Sequence, residues 1–555
     1  MKKIHVLALI PVFCLVIGPV FANSVTPYVL GMPFLLFWVL LSVLITSLCM
    51  GLVYVFDPAN KGGCKMIALL IIILFLFLAL FLGIRAQHGK DMNLEQWSVG
   101  GRGFGTIFVF LLMAGEIYTT FTFLGGSGWA YSKGAPTFYI LGYGALAYIL
   151  SYFLLPPVWK YAKEHNLVSQ PDFFVKKYKS QTLGIIVSVI GVISIIPYLV
   201  LQLKGLGIIV SEASYGRVSP VIAVWIGAIV ITIYVMVSGI HGSAWTAALK
   251  DIMILFIVMF LGIYLPYHYY GGFQPMFEAV EAAKPGFLSL PDEGMSISWF
   301  VSTIVLTALG FYMWPHTFAS AFSAKNEKVF RKNAAIMPLY SLVLLFVFFA
   351  GFAAILQVPG LKGGDVDLSL FRLALQTFDP WFIGIIGSAG VLTALVPGSM
   401  LVMAASTLLA KNIYRTMVPS ASDRQVAKVA KLFVPVVTLV AVLFTFKGGE
   451  TIGALLLMGY SIVTQLFPAL VCSLFPRQVI TKQGAIAGMG IGLLVVAYIT
   501  LSGSTIATMF PAFPQYIKDL NVGIVALLMN MIVMFIVSGF TRNVSIKTDN
   551  IIVEK

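Results

Sequence analysis

Charge is what this sequence has least of. Only 10% of its 555 residues are Asp, Glu, Lys or Arg, against 59% hydrophobic residues and a mean hydropathy of +0.97. That balance excludes a large soluble domain and describes a polytopic membrane protein. Cysteine is nearly absent: Cys14, Cys49, Cys64 and Cys472 are scattered, three of them in apolar stretches, with no C-x-x-C or ligand-like spacing. They read as small inert hydrophobes, and neither a disulfide framework nor a metal centre is expected. The phosphate-binding loop, H-E-x-x-H, G-x-S-x-G and the dinucleotide fingerprint are missing too, so the chain is not expected to be an enzyme or to hold a cofactor. The net charge of +14 does not restore a nucleic-acid partner, because its lysines and arginines fall in alternate loops, as the positive-inside rule expects.

Long apolar runs fill the space these absences leave. A bilayer's hydrocarbon core is about 30 Å thick, or about 20 helical residues. About fifteen runs of that size occur, at residues 4–21, 34–55, 66–84, 104–131, 137–158, 183–209, 219–237, 244–270, 296–323, 335–357, 380–409, 429–447, 451–474, 483–502 and 520–540. The lipid bilayer is therefore the first expected partner. Basic stretches at 159–180, 323–333 and after Phe540 are expected in the cytoplasm with the carboxyl terminus; neutral or acidic loops at 278–294 and 361–371 are expected outside. The amino end, "MKKIHVLALIPVFCLVIGPVFANS", reads either as an uncleaved anchor or as a signal peptide over Met1 to Ala22. Its local charge and the helix count from the later loops give opposite orientations for the loop near Cys64, and both stand open.

Polar and helix-breaking residues inside spans carry more information, since non-helical backbone at membrane depth is tolerated only where it lines a cavity or packs on protein. One span, "LLMAGEIYTTFTFLGGSG", holds Gly115, Glu116, Tyr118, Thr119, Thr120 and the glycine pair Gly125 and Gly126. Another, "LGFYMWPHTFASAFSAKN", five helices later, holds Trp314, Pro315 and His316. Paired interruptions at that separation mark inverted-repeat transporters with a midplane site. The alternatives are a plain proline kink at Pro315 and a His316 that serves a freed carbonyl.

Six stretches in order resemble the sodium:solute symporter family from about residue 67 to 540: "WSVGGRGFG", "VSQPDFFVKKYKS", "IPYLVLQLKGLG", "GIHGSAWTAALKDIM", "WPHTFASAFSAKN" and "GYSIVTQLFPALVCSLFPRQVITKQGAIAG". The resemblance implies an all-α polytopic membrane protein: a ten-helix core of two inverted five-helix repeats (LeuT-like), with one helix before it and two after. Residues 1–65 then form an extra two-helix unit, similar to a small membrane protein of unknown function found beside some permeases of this family. Residues 66–541 form the symporter domain and 542–555 a cytoplasmic tail.

The resemblance also implies a coupling ion between the first and eighth core helices, held by backbone carbonyls of one and paired Ser/Thr hydroxyls of the other. Here Val396 and Pro397 stand where the hydroxyls are expected, with Thr393 and Ser399 nearby and Pro397 freeing a carbonyl. A displaced sodium site using Gly115, Thr393 and Ser399 is one reading. The other is a proton carried by Glu116, a carboxylate buried in the first core helix and poised by desolvation. The "VPGSM" stretch is most similar to the bacterial monocarboxylate permease branch. Substrate-lining candidates are Tyr118, Thr119, Gln202, Trp314 and Gln465, and candidate breaks or gates are Gly125, Gly126, Pro315, His316 and Pro397. Lys204 reads either as facing the cavity or as reaching a membrane face, and Lys250–Asp251 as a local cytoplasmic ion pair. The function expected is uptake across the bacterial cytoplasmic membrane of a small organic solute, a monocarboxylate by this resemblance, with cotransported Na+ or H+ and no bound cofactor. The alternative is a membrane solute sensor signalling through a separate partner.

Overall fold

The computed structural model describes residues 7, 9–24, 26, 33–56, 63–89, 92–115 and 117–553, the last stretch as backbone alone beyond 542. Glu116 lies outside the described residues. Among those described, ten helices are long and apolar enough to cross a membrane, or eleven when one bent pair counts as a span.

The apolar helices of the first half are α1 (Leu9–Ala22), α2 (Phe34–Phe56), α3 (Gly63–Gln87), α4 (Thr106–Gly115) with its continuation α5 (Gly126–Lys133), and α6 (Tyr139–Glu164). An amphipathic helix α7 (Gln170–Tyr178) leads to α8 (Gln181–Ala213) and to the 51-residue α9 (Pro220–Tyr270). The second half holds α10 (Ile297–Gly310), α11 (Pro315–Phe322), α12 (Lys328–Gln357), α13 (Pro380–Thr407), α14 (Asp423–Thr445), α15 (Ile452–Leu474), α16 (Lys482–Ser502) and α17 (Val522–Val553). Side-chain caps start many of them: Ser169, Ser180, Ser219, Ser422, Thr451 and Thr481 each accept from a backbone N–H that has no intrahelical partner.

Helix α9 joins two expected spans. It turns at Gly239 (φ 53, ψ −152), and its two parts are the fourth and fifth helices of the core. Helix α13 packs on α9, α3 and α8, and 94% of its most apolar window is buried, so it faces protein rather than lipid on every side. The last two helices, α16 and α17, pack along each other beside the core.

Each five-helix set opens on a broken helix. In the first, α4 stops at Gly115, residues 117–119 are non-helical, and the chain winds again through a π-turn at Phe121–Gly125 into α5. In the second, a 3-10 turn at Phe311–Met313 and an extended Trp314 (φ −67, ψ 134) separate α10 from α11, with a 53° bend across the pair α10 and α11. Pro315 opens α11 at the first helical position, where its missing N–H costs nothing.

Two sequence expectations about the breaks are corrected. Gly125 and Gly126 do not form the break: both have right-handed helical dihedrals and lie past it. They are packing positions, since a Cβ on Gly125 would stand 2.9 Å from Ile452 and one on Gly126 3.3 Å from Phe348. Pro397 does not interrupt α13, which runs through it; the irregular turn is a π-helix at Leu408–Tyr414, at the helix end.

Candidate substrate and cation site

At the first break the backbone carbonyls lose their helical donors, and the carboxyl end of half-helix α4 carries partial negative charge. A cation belongs there, and the structure supplies one. Lys250, fully buried on α9, donates from Nζ to the Tyr118 carbonyl at 3.0 Å and pairs with Asp251 at 2.9 Å. Gly115 faces both the ammonium and Val396: a Cβ built on Gly115 would lie 3.5 Å from Lys250 Nζ and 3.7 Å from Val396 Cγ1. The Lys250–Asp251 pair is therefore not cytoplasmic, which corrects the expectation. It sits inside the bundle because the fifth core helix begins at Gly239, about three turns before Lys250.

The nearby hydroxyls have local partners. Thr393 donates to Gly390 O at 2.5 Å, and Ser399 donates to Val396 O at 2.6 Å while sharing a 2.8 Å hydrogen bond with Ser243 of α9. Thr119 caps the rewinding turn: its Oγ1 accepts from Phe121 N at 3.1 Å, and its own N–H donates to Thr122 Oγ1 at 2.9 Å. Its hydroxyl is thus used by the fold. The Tyr118 side chain donates to Tyr340 O at 2.6 Å and crosses the Tyr340 ring at 4.7 Å, so its ring packs against α12.

Beyond the break, Thr120 binds Gln202 of α8 twice, N–H and Oγ1 both reaching Oε1, at 3.3 and 2.8 Å. A backbone N–H can only donate, so the atom it meets is the amide oxygen, and the Gln202 NH2 group points away without a partner. One turn earlier on the same face, Tyr198 packs on Trp314 at 4.9 Å and on His316 at 5.6 Å. His316 Nδ1 is also buried without a hydrogen-bond partner, whereas the Trp314 indole faces the Tyr460 side chain, whose ring it meets at 5.3 Å. Gln465 lies elsewhere, and its assignment as a lining residue is corrected. Its amide donates to Ser461 O and Gly523 O, at 3.0 and 3.3 Å, and accepts from Asn530 at 3.1 Å, which ties α15 to α17.

Two polar clusters close opposite ends of the core. At one, Lys204 of α8 reaches Asp367 at 3.3 Å and Glu450 O at 2.5 Å, and Asp367 accepts from Ile452 N at 3.0 Å. Lys204 therefore serves a face, not the central cavity. Burial pushes the Asp367 carboxyl up, and Lys204 and the Ile452 N–H offset that only in part. At the other, Asp172 of α7 meets Lys411 at 2.7 Å, Asn412 at 2.8 Å and two backbone N–H groups at 3.1 Å. Burial alone would raise its pKa, but these donors prevail and hold it below the usual carboxylate value.

Sequence reading named Thr120 and Lys250 without giving either a place in the site, and it missed Asp367. Lys250 had a signal: a lysine stands where the family segment carries threonine before its aspartate.

A model described as sodium:solute symporter family matches residues 97–492, and one described as a protein of unknown function (DUF3311) matches residues 6–63. The chain is 69% identical over 475 residues to the uncharacterized symporter YhjB of Bacillus subtilis (strain 168), covering 86% of this chain and 97% of that one. It is 31% identical over 437 residues to the monocarboxylate transport permease protein of Rhizobium johnstonii, covering 77% and 87%. Among solved structures, a substrate-bound, outward-open Na+-coupled sialic acid symporter superposes with a TM-score of 0.69 at 17% identity, covering 86% of this chain and 97% of that one. That likeness shows the fold, a core of two inverted five-helix repeats. On these matches the chain belongs to the sodium:solute symporter family: a multi-pass membrane protein that moves a solute together with a coupling cation, and not an enzyme.

Proposed function

We propose that this symporter imports a small monocarboxylate across the cell membrane together with a proton, with the basic loops and the carboxyl terminus in the cytoplasm. The observation that carries the substrate class is the unspent donor Gln202 Nε2, buried one turn past Tyr198 on α8. That amide nitrogen can only donate, so the group it suits is an acceptor such as a carboxylate. The permease relative at 31% identity supports the same class. A proton suits the ion because Val396 replaces an oxygen ligand, while the sequence sets a carboxylate, Glu116, within an apolar span. Residues 1–65 are read as an accessory two-helix unit on a symporter domain at 66–541, followed by the tail at 542–555.

Uptake of labelled pyruvate, lactate and acetate into proteoliposomes, against amino acids and pantothenate, tests the class. A hydrogen bond to a charged group contributes about 1.5–3 kcal/mol, so Gln202→Leu is expected to raise the KM for the preferred carboxylate by about 10- to 100-fold. A KM unchanged in that variant, or uptake confined to neutral solutes, would sink the carboxylate reading.

A further inference from the structure

We propose that Lys250 sets the ion selectivity of this symporter: its ammonium is a tethered cation lodged at the break of the first core helix, and it excludes sodium from that place.

Midplane cation sites in transporters of this architecture are built from unwound carbonyls and the carboxyl ends of half-helices. Here that location is the end of α4 and the freed Tyr118 carbonyl, and Lys250 Nζ already stands 3.0 Å from it. The walls leave little else. Gly115 of α4 lies against the ammonium, Val396 of α13 packs on Gly115, and Asp251 supplies the counter-charge at 2.9 Å. The one anionic oxygen donor described at this point is therefore spent on an amine. A sodium ion would meet a like charge within a few ångströms, in a medium where such repulsion is strong, and Val396 offers it no ligand. Burying a lysine so completely is expensive unless it is paired and hydrogen-bonded, and the Asp251 carboxylate and Tyr118 carbonyl meet both conditions. Among the described residues, Tyr118, Tyr340 and Tyr148 are the other titratable side chains near this pair, and none brings a charge at neutral pH.

The inference deepens the proton reading above, but its test needs no solute. Thermal unfolding of the purified full-length chain is compared in NaCl and in choline chloride at equal ionic strength. The wild-type Tm is expected to be the same in both salts. In Lys250→Ala, the vacated carbonyl and carboxylate become a sodium site, and a sodium-specific rise in Tm appears. A sodium-specific rise in the wild type overturns the proposal, and so does a folded Lys250→Ala variant that is indifferent to sodium. Should that variant not fold, Lys250→Ser replaces it, and the wild-type comparison stands by itself. In proteoliposomes, replacing sodium by choline is expected to change wild-type uptake by less than twofold; a loss of more than tenfold rejects the proposal. Absence of uptake for every carboxylate tried bears on the substrate class and leaves the unfolding result intact.

Discussion

Lys204→Met is expected to destabilise the folded transporter by about 3–5 kcal/mol, the range for breaking a buried ion pair by removing one partner. The two sides of the pair are unequal. Asp367 has no exposed side-chain surface, while the Lys204 side chain is 19% exposed and also donates to Glu450 O. Removing the lysine strands a buried carboxylate with only the Ile452 N–H, whereas Asp367→Asn leaves an amine that can still reach water; the first is expected to cost more. The pH dependence follows from the raised Asp367 pKa, which burial causes and Lys204 opposes. A carboxyl whose folded pKa is raised gives its full contribution below the unfolded pKa of about 3.9 and loses it as pH rises through the folded value. Without Lys204 the folded value rises further, so the penalty of the variant is expected to be small near pH 4 and to grow toward pH 8. Unfolding measured at both pH values checks this, and Lys204→Met/Asp367→Leu is expected to recover most of the loss. Equal destabilisation at both pH values would show that the carboxylate is not the cause.

Gly239→Ala is expected to cost at least about 3 kcal/mol and to abolish well-folded protein. The dihedrals there (φ 53, ψ −152) lie in a region open to glycine and strained by about 1–3 kcal/mol for other residues. Space adds to strain: a Cβ would stand 2.6 Å from Trp97 Cδ1 and 2.7 Å from Trp97 O. The oxygen is backbone and cannot swing away. The ring is fixed as well, since Trp97 Nε1 donates to Val235 O at 3.0 Å. This elbow sets the direction of the second part of α9 and hence the reach of Lys250, so any variant that survives is expected to misplace the ammonium. Gly490→Ala, where a Cβ meets nothing within 4 Å, is the control and is expected to leave Tm unchanged or slightly higher. A Gly239→Ala protein with the wild-type Tm would show that the elbow is not fixed by its glycine.

The fold was legible because its signals are repeated many times along the chain. Apolar runs of bilayer length, alternating basic loops and six ordered motifs each point to the same core, and the two breaks fall five helices apart in both sequence and structure. What a sequence conveys poorly is rotation and depth. Gln465 stands on the expected helix, but its amide turns toward α17, because a few tens of degrees about a helix axis decide which neighbour a side chain meets. Lys250 was misplaced in depth, since a lysine near an assumed helix start reads as a solvent-side charge until Gly239 is seen to set the start a few residues earlier. The partner of Lys204 was illegible for a different reason: Asp367 lies 163 residues away, in a short turn between membrane helices. The glycine pair drew attention as a break, yet the chain unwinds ahead of it, at 117–119.

The most direct test uses proteoliposomes in sodium-free buffer with the exterior made acidic by one pH unit. Labelled pyruvate is expected to accumulate above its external concentration, up to about tenfold for one proton per anion, to discharge when a protonophore is added, and to stop accumulating in Glu116→Gln. Accumulation that appears only when a sodium gradient is imposed, or label that merely equilibrates under either gradient, would contradict proton-coupled carboxylate import.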